Sequence, residues 1–278
     1  SHQNVQQLVV KTGKLIQEKS THEQRYEGIS SKKKVPFLYL EGDGVLIRGQ
    51  RKTRLEIHRF QVSEGTEKRG NRSTMIHSHF VSHLNRQQAQ KELMDYLQAT
   101  YDLKETIVVS NSDGGSGYET DVFEELSLGC LRHEHFRDKY HVHQKIKERL
   151  NFAPFLQKKL IEAVSQYDFG KVQACLDTAE SLIEEEHEEK YKEQLRLLTA
   201  YLQRNWRYLC PLKARGIEDK QACIGTIEST HRKMTYRMKR QGRLWTKIGA
   251  SAMIRVIDSL RNCELDDWLN QYYDLPND

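Results

Sequence analysis

An acidic residue followed by glycines marks residues 107–118, which read IVVSNSDGGSGY. The run from Ile107 to Val109 favours β-structure and is bounded by turn-forming residues, so we predict a buried strand that ends near Ser112. Asp113 then lies at the carboxyl end of a strand, the edge at which open α/β sheets bind ligands. The glycines after it would let another backbone approach closely. An ordinary Asp-Gly turn is the alternative for Asp113 taken alone.

A second acid, Asp43, lies within the predicted first strand, FLYLEGDGVLI, between Gly42 and Gly44. A carboxylate in apolar surroundings is costly unless it is paired, protonated or bound to metal. Glu41 shares its face by strand alternation, so a structural salt bridge is one alternative. If the first strand is central and pairs with the strand after the crossover helix, Asp43 and Asp113 are neighbours. A divalent cation such as Mg²⁺ would stabilise both anions.

A third carboxylate, Glu228, comes at the head of a predicted helix much later in the chain. Residues 231–247 downstream contain seven Lys and Arg, no Asp or Glu, and two aromatic residues. Basic residues interleaved with aromatic ones suit a groove that follows a phosphate backbone and stacks bases, whereas a solvated basic helix face is the alternative. The predicted DNA-binding residues are Arg232, Lys233, Arg237, Lys239, Arg240, Arg243, Trp245 and Lys247.

The elements that must position these residues begin with three strand-like segments, 35–50, 54–65 and 73–84, separated by turns of hairpin length. A helix is predicted over 86–101 and another over 117–129, on either side of the strand before Asp113. The order β-β-β-α-β-α indicates an α/β fold with a mixed sheet. The pattern then becomes helical, including one long helix predicted over 179–206.

These patterns divide the chain into four predicted segments. They are a linker or tail of a missing N-terminal DNA-binding region (1–34), the first part of a catalytic domain (35–144), an α-helical insertion (145–218), and the last part of the catalytic domain with basic C-terminal helices (219–278). The first residue is Ser1 rather than Met, which also leads us to expect a part upstream.

Composition narrows the functional class. Of 278 residues, 37% are hydrophobic and 30% are charged, and the mean hydropathy is -0.78, which indicates a polar, soluble protein. The net charge of +5 permits a polyanionic partner. Five cysteines without a CxxC pair argue against a disulfide framework and a zinc ribbon. We expect a cytoplasmic protein, because no run approaches the roughly 20 apolar residues of a membrane span.

The ordered set of motifs resembles a known family. The set comprises DGV at Asp43, SDG at Asp113, DKYH from Asp138 to His141, a long helical insertion, and a helix that begins at Glu228 with R..G..W...G...M downstream. This set resembles the DDE transposases of the ISLre insertion-sequence family, relatives of the Mutator-like group. The resemblance covers roughly residues 37–258.

The resemblance implies a ribonuclease-H-like fold, a mixed five-stranded sheet with flanking helices interrupted by an all-α insertion before the last catalytic helix. It implies that Asp43, Asp113 and Glu228 bind two Mg²⁺ or Mn²⁺ ions, with Asp43 bridging them and Asp138 and His141 lying behind these ligands. Two such ions activate an attacking oxygen and stabilise a leaving oxygen. The implied reaction is DNA strand cleavage and transfer at insertion-sequence ends, by a homodimer or larger assembly on double-stranded DNA in the bacterial nucleoid.

Two other functional classes remain open on the residues alone. Histidines cluster in HSHFVSH and HEHFRDKYHVH, with His77 and His79 predicted on one strand face, and such clusters suit a zinc or iron hydrolase. The histidines of these two segments are His77, His79, His83, His133, His135, His141 and His143. The third class is a catalytically inactive, domesticated protein that binds nucleic acid without cutting it.

Overall fold

The computed structural model describes residues 2–20, 31–70, 72–185 and 188–273. Its strands are β1 (Phe37–Arg48), β2 (Arg54–Ser63), β3 (Thr66–Arg69), β4 (Arg72–Met75), β5 (His79–His83), β6 (Ile107–Ser112) and β7 (Arg132–Arg137). Five of them form a mixed sheet in the order β5-β2-β1-β6-β7, and β3 and β4 form a separate hairpin. The predicted α/β class with a central first strand is confirmed, and the sheet is compatible with a ribonuclease-H-like fold.

Ten α-helices are described. They are α1 (His2–Ser20), α2 (Arg86–Thr100), α3 (Thr120–Leu126), α4 (Lys139–Arg149), α5 (Pro154–Ser165), α6 (Phe169–Ser181), α7 (Glu188–Asn205), α8 (Ile227–Met238), α9 (Lys247–Arg261) and α10 (Leu265–Tyr273). None of the helices in the described part of the chain is long and apolar enough to cross a membrane.

Two of the predicted elements differ from those observed. The predicted strand over 73–84 is interrupted after β4, because His77 has a positive φ of 43° that no strand tolerates, and pairing resumes only at β5. The predicted helix over 179–206 consists of the end of α6 and all of α7. Residues 186 and 187 lie outside the described part of the chain.

The two faces of β1 pack against different elements. Leu38 and Leu40 belong to an apolar core with residues of α2 and α3, whereas Val45 and Ile47 belong to a second core with residues of α8 and α9. Side chains alternate along a strand, so Glu41 and Asp43 project on the same side as Val45 and Ile47. The fold therefore presents both acids of β1 to the side covered by α8 and α9.

The start of the chain is helical and packed where a linker is predicted. Ile16 of α1 is buried, and α1 crosses α9 so closely that a Cβ on Gly13 would clash with the backbone of Ala252. The Ser251 hydroxyl also donates to the Gln17 side-chain oxygen at 3.2 Å. The apolar residues of α1 are few, but they lie on one side and are sufficient to dock it. Residues 21–30 of the predicted linker lie outside the described ones.

The chain divides into two compact units. The sheet unit comprises residues 1–110, 114–134 and 221–278, and the helical unit comprises 111–113 and 135–220. Helices α4 to α7 of the helical unit surround an apolar core of mostly Leu, Val and Ala side chains. This unit begins about ten residues before the insertion predicted over 145–218, because the whole of α4 belongs to the helical core through Val142 and Ile146.

Candidate metal site in the sheet unit

Asp43 occupies the middle of β1, directly opposite Arg59 of β2. One of its carboxylate oxygens, Oδ1, accepts a hydrogen bond from the Gly44 backbone N–H at 2.7 Å, and its side chain is 14% exposed. Arg59 is fully buried, and its burial lowers the pKa of the guanidinium, while the carboxylates of Asp258 and Asp43 act in the opposite direction. Asp43 is therefore an accessible acid with a buried positive charge as its cross-strand neighbour.

Helix α8 brings two further donors to Asp43. Glu228 lies in the first turn of α8 and is exposed, and His231 follows three residues later with a side chain that is only 5% exposed. The His231 Nδ1 atom lies 3.5 Å from Oδ2 of Asp43. One ligand atom each from Asp43, Glu228 and His231 lie within 4.8 Å of one another. Two of the predicted carboxylates, Asp43 and Glu228, are thus together, and His231, which is not among the predicted site residues, lies beside them.

The start of α8 is held by the other acid of β1. The buried carboxylate of Glu41 accepts hydrogen bonds from the backbone N–H groups of Gly225 and Thr226, the latter at 3.0 Å, and from the Thr226 hydroxyl at 2.7 Å. A carboxylate at this position satisfies N–H groups that a helix cannot pair internally and complements the helix dipole. Glu41 therefore anchors the start of α8 through hydrogen bonds, and the structural salt bridge considered as an alternative stays a prediction.

Gln61 of β2 extends this anchor. Its side-chain amide donates to Glu41 at 2.5 Å and to the Thr226 hydroxyl at 2.8 Å, and its oxygen accepts from the Thr230 hydroxyl at 2.7 Å. The first turns of α8 are thus tied to β1 and β2 through side chains with little solvent exposure. The position of Glu228, two residues after Thr226, follows from these bonds.

Asp113, Asp138 and His141 belong to the helical unit. Asp113 directly follows β6, as predicted, and a carboxylate oxygen of Asp113 lies within 4.8 Å of a ring nitrogen of His141. Asp138 is the N-cap of α4, and its side chain accepts a hydrogen bond from the Tyr140 backbone N–H at 2.7 Å. Its own N–H donates to the Ser112 carbonyl at 2.8 Å, so Asp138 orients the helix that carries His141.

Glycines near the two aspartates have local reasons for their identity. A Cβ on Gly42 would lie 2.8 Å from the Tyr118 ring and 2.9 Å from the Phe60 ring. Gly117 has a φ of +90°, and a Cβ there would clash with the Arg86 side chain. These contacts account for Gly42 and Gly117 by packing and backbone conformation, so the predicted approach of DNA to the glycines after Asp113 remains a prediction.

The basic residues of the segment 232–247 are all on the surface. Arg232, Lys233, Arg237, Lys239, Arg240, Arg243 and Lys247 are exposed. Tyr236 beside them is 63% exposed, whereas Trp245 packs against the core shared by β1, β2, α8 and α9. The Trp245 indole N–H donates to the Met238 carbonyl at 2.8 Å. The structure therefore gives Trp245 a packing role and leaves Tyr236 as the exposed aromatic residue of this segment, and the DNA contact of Trp245 stays a prediction.

The histidine clusters that favour a zinc or iron hydrolase are dispersed into local contacts. His77 pairs with Glu64 at 2.8 Å, His79 stacks on Tyr96, and His83 accepts from the Asn85 backbone N–H. Among the described residues, no group of three or more donors includes His77, His79, His83, His133, His135 or His143. His77 also precedes β5 instead of sharing a strand face with His79 as predicted.

The donors around Asp43 fit a divalent cation. Two carboxylates and one imidazole are the ligand types found for first-row divalent ions. Ligands on opposite sides of such an ion are about 4.2 Å apart, so donors within 4.8 Å need only small side-chain rotations to share one. The exposure of Glu228 leaves an open side for solvent or substrate. Asp43, Glu228 and His231 are therefore able to hold a metal ion within the sheet unit.

A family model described as "Uncharacterised protein family (UPF0236)" matches residues 1–265. The chain belongs to the UPF0236 family. It is also 40% identical over 234 residues to a protein from Streptococcus gallolyticus called "UPF0236 protein in vanSb 3'region". The aligned region covers 83% of this chain and 51% of that relative, so the chain spans about half the length of the curated relative that it matches. The match from residue 1 includes α1, Asp43, Asp113, Glu228 and the basic segment.

Proposed function

We propose that this UPF0236 chain contains the catalytic region of a DDE transposase similar to the ISLre type. The proposed reaction is metal-dependent cleavage of DNA strands at insertion-sequence ends, followed by transfer of the freed 3′ end to target DNA. Asp43 and Glu228 would hold divalent ions, either Mg²⁺ or Mn²⁺. Asp113, which directly follows β6, would be the third carboxylate of the proposed set.

One observation carries the proposal. Asp43 and Glu228 are 185 residues apart in the sequence, yet their carboxylate oxygens lie within 4.8 Å of each other on the accessible side of the β1–α8 contact. Two carboxylates so close repel each other unless a proton or a cation intervenes. The buried anchor at Glu41 holds α8 so that this unfavourable pair persists. Acids kept together at such a cost are typical of metal-dependent phosphodiester chemistry.

In the proposed reaction, the protein would hold the metal ions and orient the DNA. Bound divalent ions would lower the pKa of an attacking water or 3′-hydroxyl and neutralise charge on the phosphoryl and leaving oxygens. Asp43 is kept in place by its hydrogen bond from Gly44, and Glu228 by the anchored start of α8. The exposed basic residues of α8 and the segment after it would contact phosphates of the DNA on either side of the scissile bond.

The proposed reaction has consequences for the assembly and for the number of bound ions. Transposition joins two element ends to one target, so two active sites are required and a homodimer or larger assembly on double-stranded DNA is expected. Two ions would be held at each site by Asp43, Glu228 and Asp113, and they would supply the charge neutralisation that strand cleavage needs. The number of ions bound to each chain is directly measurable by titration with Mn²⁺.

The test is nicking of supercoiled plasmid DNA by the purified chain with Mg²⁺, with Mn²⁺, and with neither. Asp43→Asn and Glu228→Gln should each reduce nicking at least about 100-fold, because each removes a metal ligand. Asp121→Asn is the matched control, since Asp121 is an exposed acid in the first turn of α3, as Glu228 is in α8. Nicking that is equal in the three variants would refute the proposal.

A second candidate function is DNA binding without cleavage, which the exposed basic residues favour. If the chain binds duplex DNA but no metal condition gives nicking, this candidate replaces the transposase. In both cases the double variant Arg237→Gln with Arg240→Gln should reduce the salt dependence of binding by about one unit of slope for each lost phosphate contact. Trp245→Phe should leave that slope unchanged, because the indole is occupied with packing.

A further inference from the structure

The third donor at the metal site is a histidine on the same helix as Glu228. Residues three apart on an α-helix project on the same side, so Glu228 and His231 form a Glu-x-x-His pair directed toward one point. Asp43 of β1 lies at that point, with its Oδ2 atom 3.5 Å from the His231 Nδ1 atom. All three residues belong to the sheet unit, and all three offer a ligand atom within 4.8 Å of the other two.

The histidine is held rigidly for this position. His231 lies on the buried side of α8 between Ile227 and Met234, both of which are almost fully buried. The anchor of α8 at Glu41 fixes the start of the helix, and the apolar contacts of Met234 and Met238 fix its other end. A ring held in this way has little rotational freedom to lose when it binds an ion, which favours ligation over a transient contact.

We propose that His231 is a direct nitrogen ligand of the ion held by Asp43 and Glu228, and that it makes this position select a first-row transition ion over Mg²⁺. The inference deepens the proposed transposase function and rests on it for the role of the ion in cleavage. Mg²⁺ takes oxygen ligands almost exclusively, whereas an imidazole nitrogen adds affinity for transition ions. Mn²⁺ is the weakest binder of that series, so a preference measured with Mn²⁺ is a lower bound.

A different role for His231 would leave the metal chemistry unchanged. Its ring could donate a hydrogen bond to Asp43 and orient that carboxylate without touching the ion, as groups behind metal ligands do. Loss of activity in a His231 variant does not separate these two roles. A spectroscopic signal that arises only from nitrogen bound to the metal separates them.

The experiment is pulsed electron paramagnetic resonance of Mn²⁺ bound to the whole chain. Nitrogen in the first coordination shell produces a modulation of the electron spin echo that oxygen ligands do not. We expect the modulation in the wild-type chain, its replacement by the ¹⁵N pattern when histidine is ¹⁵N-labelled, and its loss in His231→Gln. His79→Gln is the matched control, because His79 is an equally buried histidine that stacks on Tyr96, and it should leave the modulation intact.

Competition titrations give the second readout. Mn²⁺ should bind the wild-type chain at least about tenfold more tightly than Mg²⁺, and His231→Asp, which makes all three ligands oxygen, should remove most of that preference. His231→Asp also serves if His231→Gln does not fold. Absence of Mn²⁺ binding, absence of the nitrogen modulation, or its persistence in both His231 variants would overturn the inference.

The outcomes separate this inference from the proposed function. Nitrogen modulation without DNA nicking would keep the histidine ligand and refute the transposase. Metal-dependent nicking without nitrogen modulation would keep the transposase and refute the histidine ligand.

Discussion

The contact between β1 and α8 has two ends that differ in what their acids do. Glu41 and Asp43 are two residues apart on the same face of the same strand. Glu41 is buried and receives hydrogen bonds from the start of α8 and from Gln61, all of which serve the fold. Asp43 is accessible and faces Glu228 and His231, which are donors of the kind that bind metal.

The difference shows that, of two neighbouring carboxylates in one strand, one can stabilise the fold while the other remains available to bind a ligand. The buried acid fixes the helix, and the fixed helix then carries its own donors to the accessible acid. A substitution at the Glu41 end should therefore act first on stability, and one at the Asp43 end should act first on metal binding. The following four predictions test this division, from the largest expected effect to the smallest.

Asp43→Asn should lower Mn²⁺ affinity by about 100-fold or more while changing the free energy of unfolding by less than about 1 kcal/mol. The stability effect is small because lost attraction to Arg59 is offset by relief of repulsion from Glu228. Calorimetric titration and urea unfolding measure the two quantities on one preparation. A large loss of stability with unchanged metal affinity would mean that Asp43 is a structural acid like its neighbour.

Glu41→Gln should lower the free energy of unfolding by about 3 kcal/mol, because an amide cannot accept all the hydrogen bonds that the buried carboxylate receives. Metal affinity should fall only as far as the start of α8 loosens. Glu56→Gln, an exposed acid of the same hairpin, is the control and should change stability by less than about 0.5 kcal/mol. If Glu41→Gln is as stable as the control, the hydrogen bonds of the Glu41 carboxylate do not stabilise the fold.

Gly42→Ala should destabilise the protein by about 1 to 3 kcal/mol, because the added methyl group overlaps the Tyr118 and Phe60 rings. Gly42 lies between the two acids but projects to the opposite face of β1. Thermal unfolding with and without Mn²⁺ checks that the metal still stabilises the variant. Loss of the metal effect would show that the two faces of β1 are not independent.

The smallest effect is expected at Asp258. Its carboxyl interacts electrostatically with Arg59, the residue opposite Asp43 in β2. Burial raises the pKa of the Asp258 carboxyl to about 6, although Arg59 lowers it. A carboxyl whose pKa is higher in the folded state binds its proton more tightly there, so its contribution to stability should increase as the pH falls from about 6 toward 4. In Asp258→Asn this part of the pH dependence of urea unfolding should disappear. An unchanged pH profile would show that another group is responsible.

The sequence was sufficient for features that depend on short-range periodicity. Strand alternation correctly predicted that Glu41 and Asp43 share a face, and the apolar run before Asp113 correctly predicted a strand that ends at Ser112. The antiparallel pairing of β1 and β2 also followed from the short turn between them, whereas β2 and β5 are joined through the β3–β4 hairpin. These features need only local backbone geometry and the order of elements.

Other features depend on contacts between distant segments. His231 could have been found from its Glu-x-x-His spacing with Glu228, but nothing in the spacing shows that the ring reaches Asp43. The structural role of Glu41 depends on hydrogen bonds from Gly225 and Thr226, which are far from it in the sequence. Trp245 matched a base-stacking pattern, and only its packing revealed a structural role.

The chain is secured where it re-enters the sheet unit after the helical one. The carbonyl of Gln221 accepts a hydrogen bond from the Thr66 backbone N–H at 2.7 Å, and Gly225 and Thr226 bind Glu41 a few residues later. These hydrogen bonds involve residues that precede α8. They therefore set the position of Glu228 independently of the residues between 135 and 220. The helical segment could consequently be lengthened, shortened or exchanged for another domain without displacing Glu228.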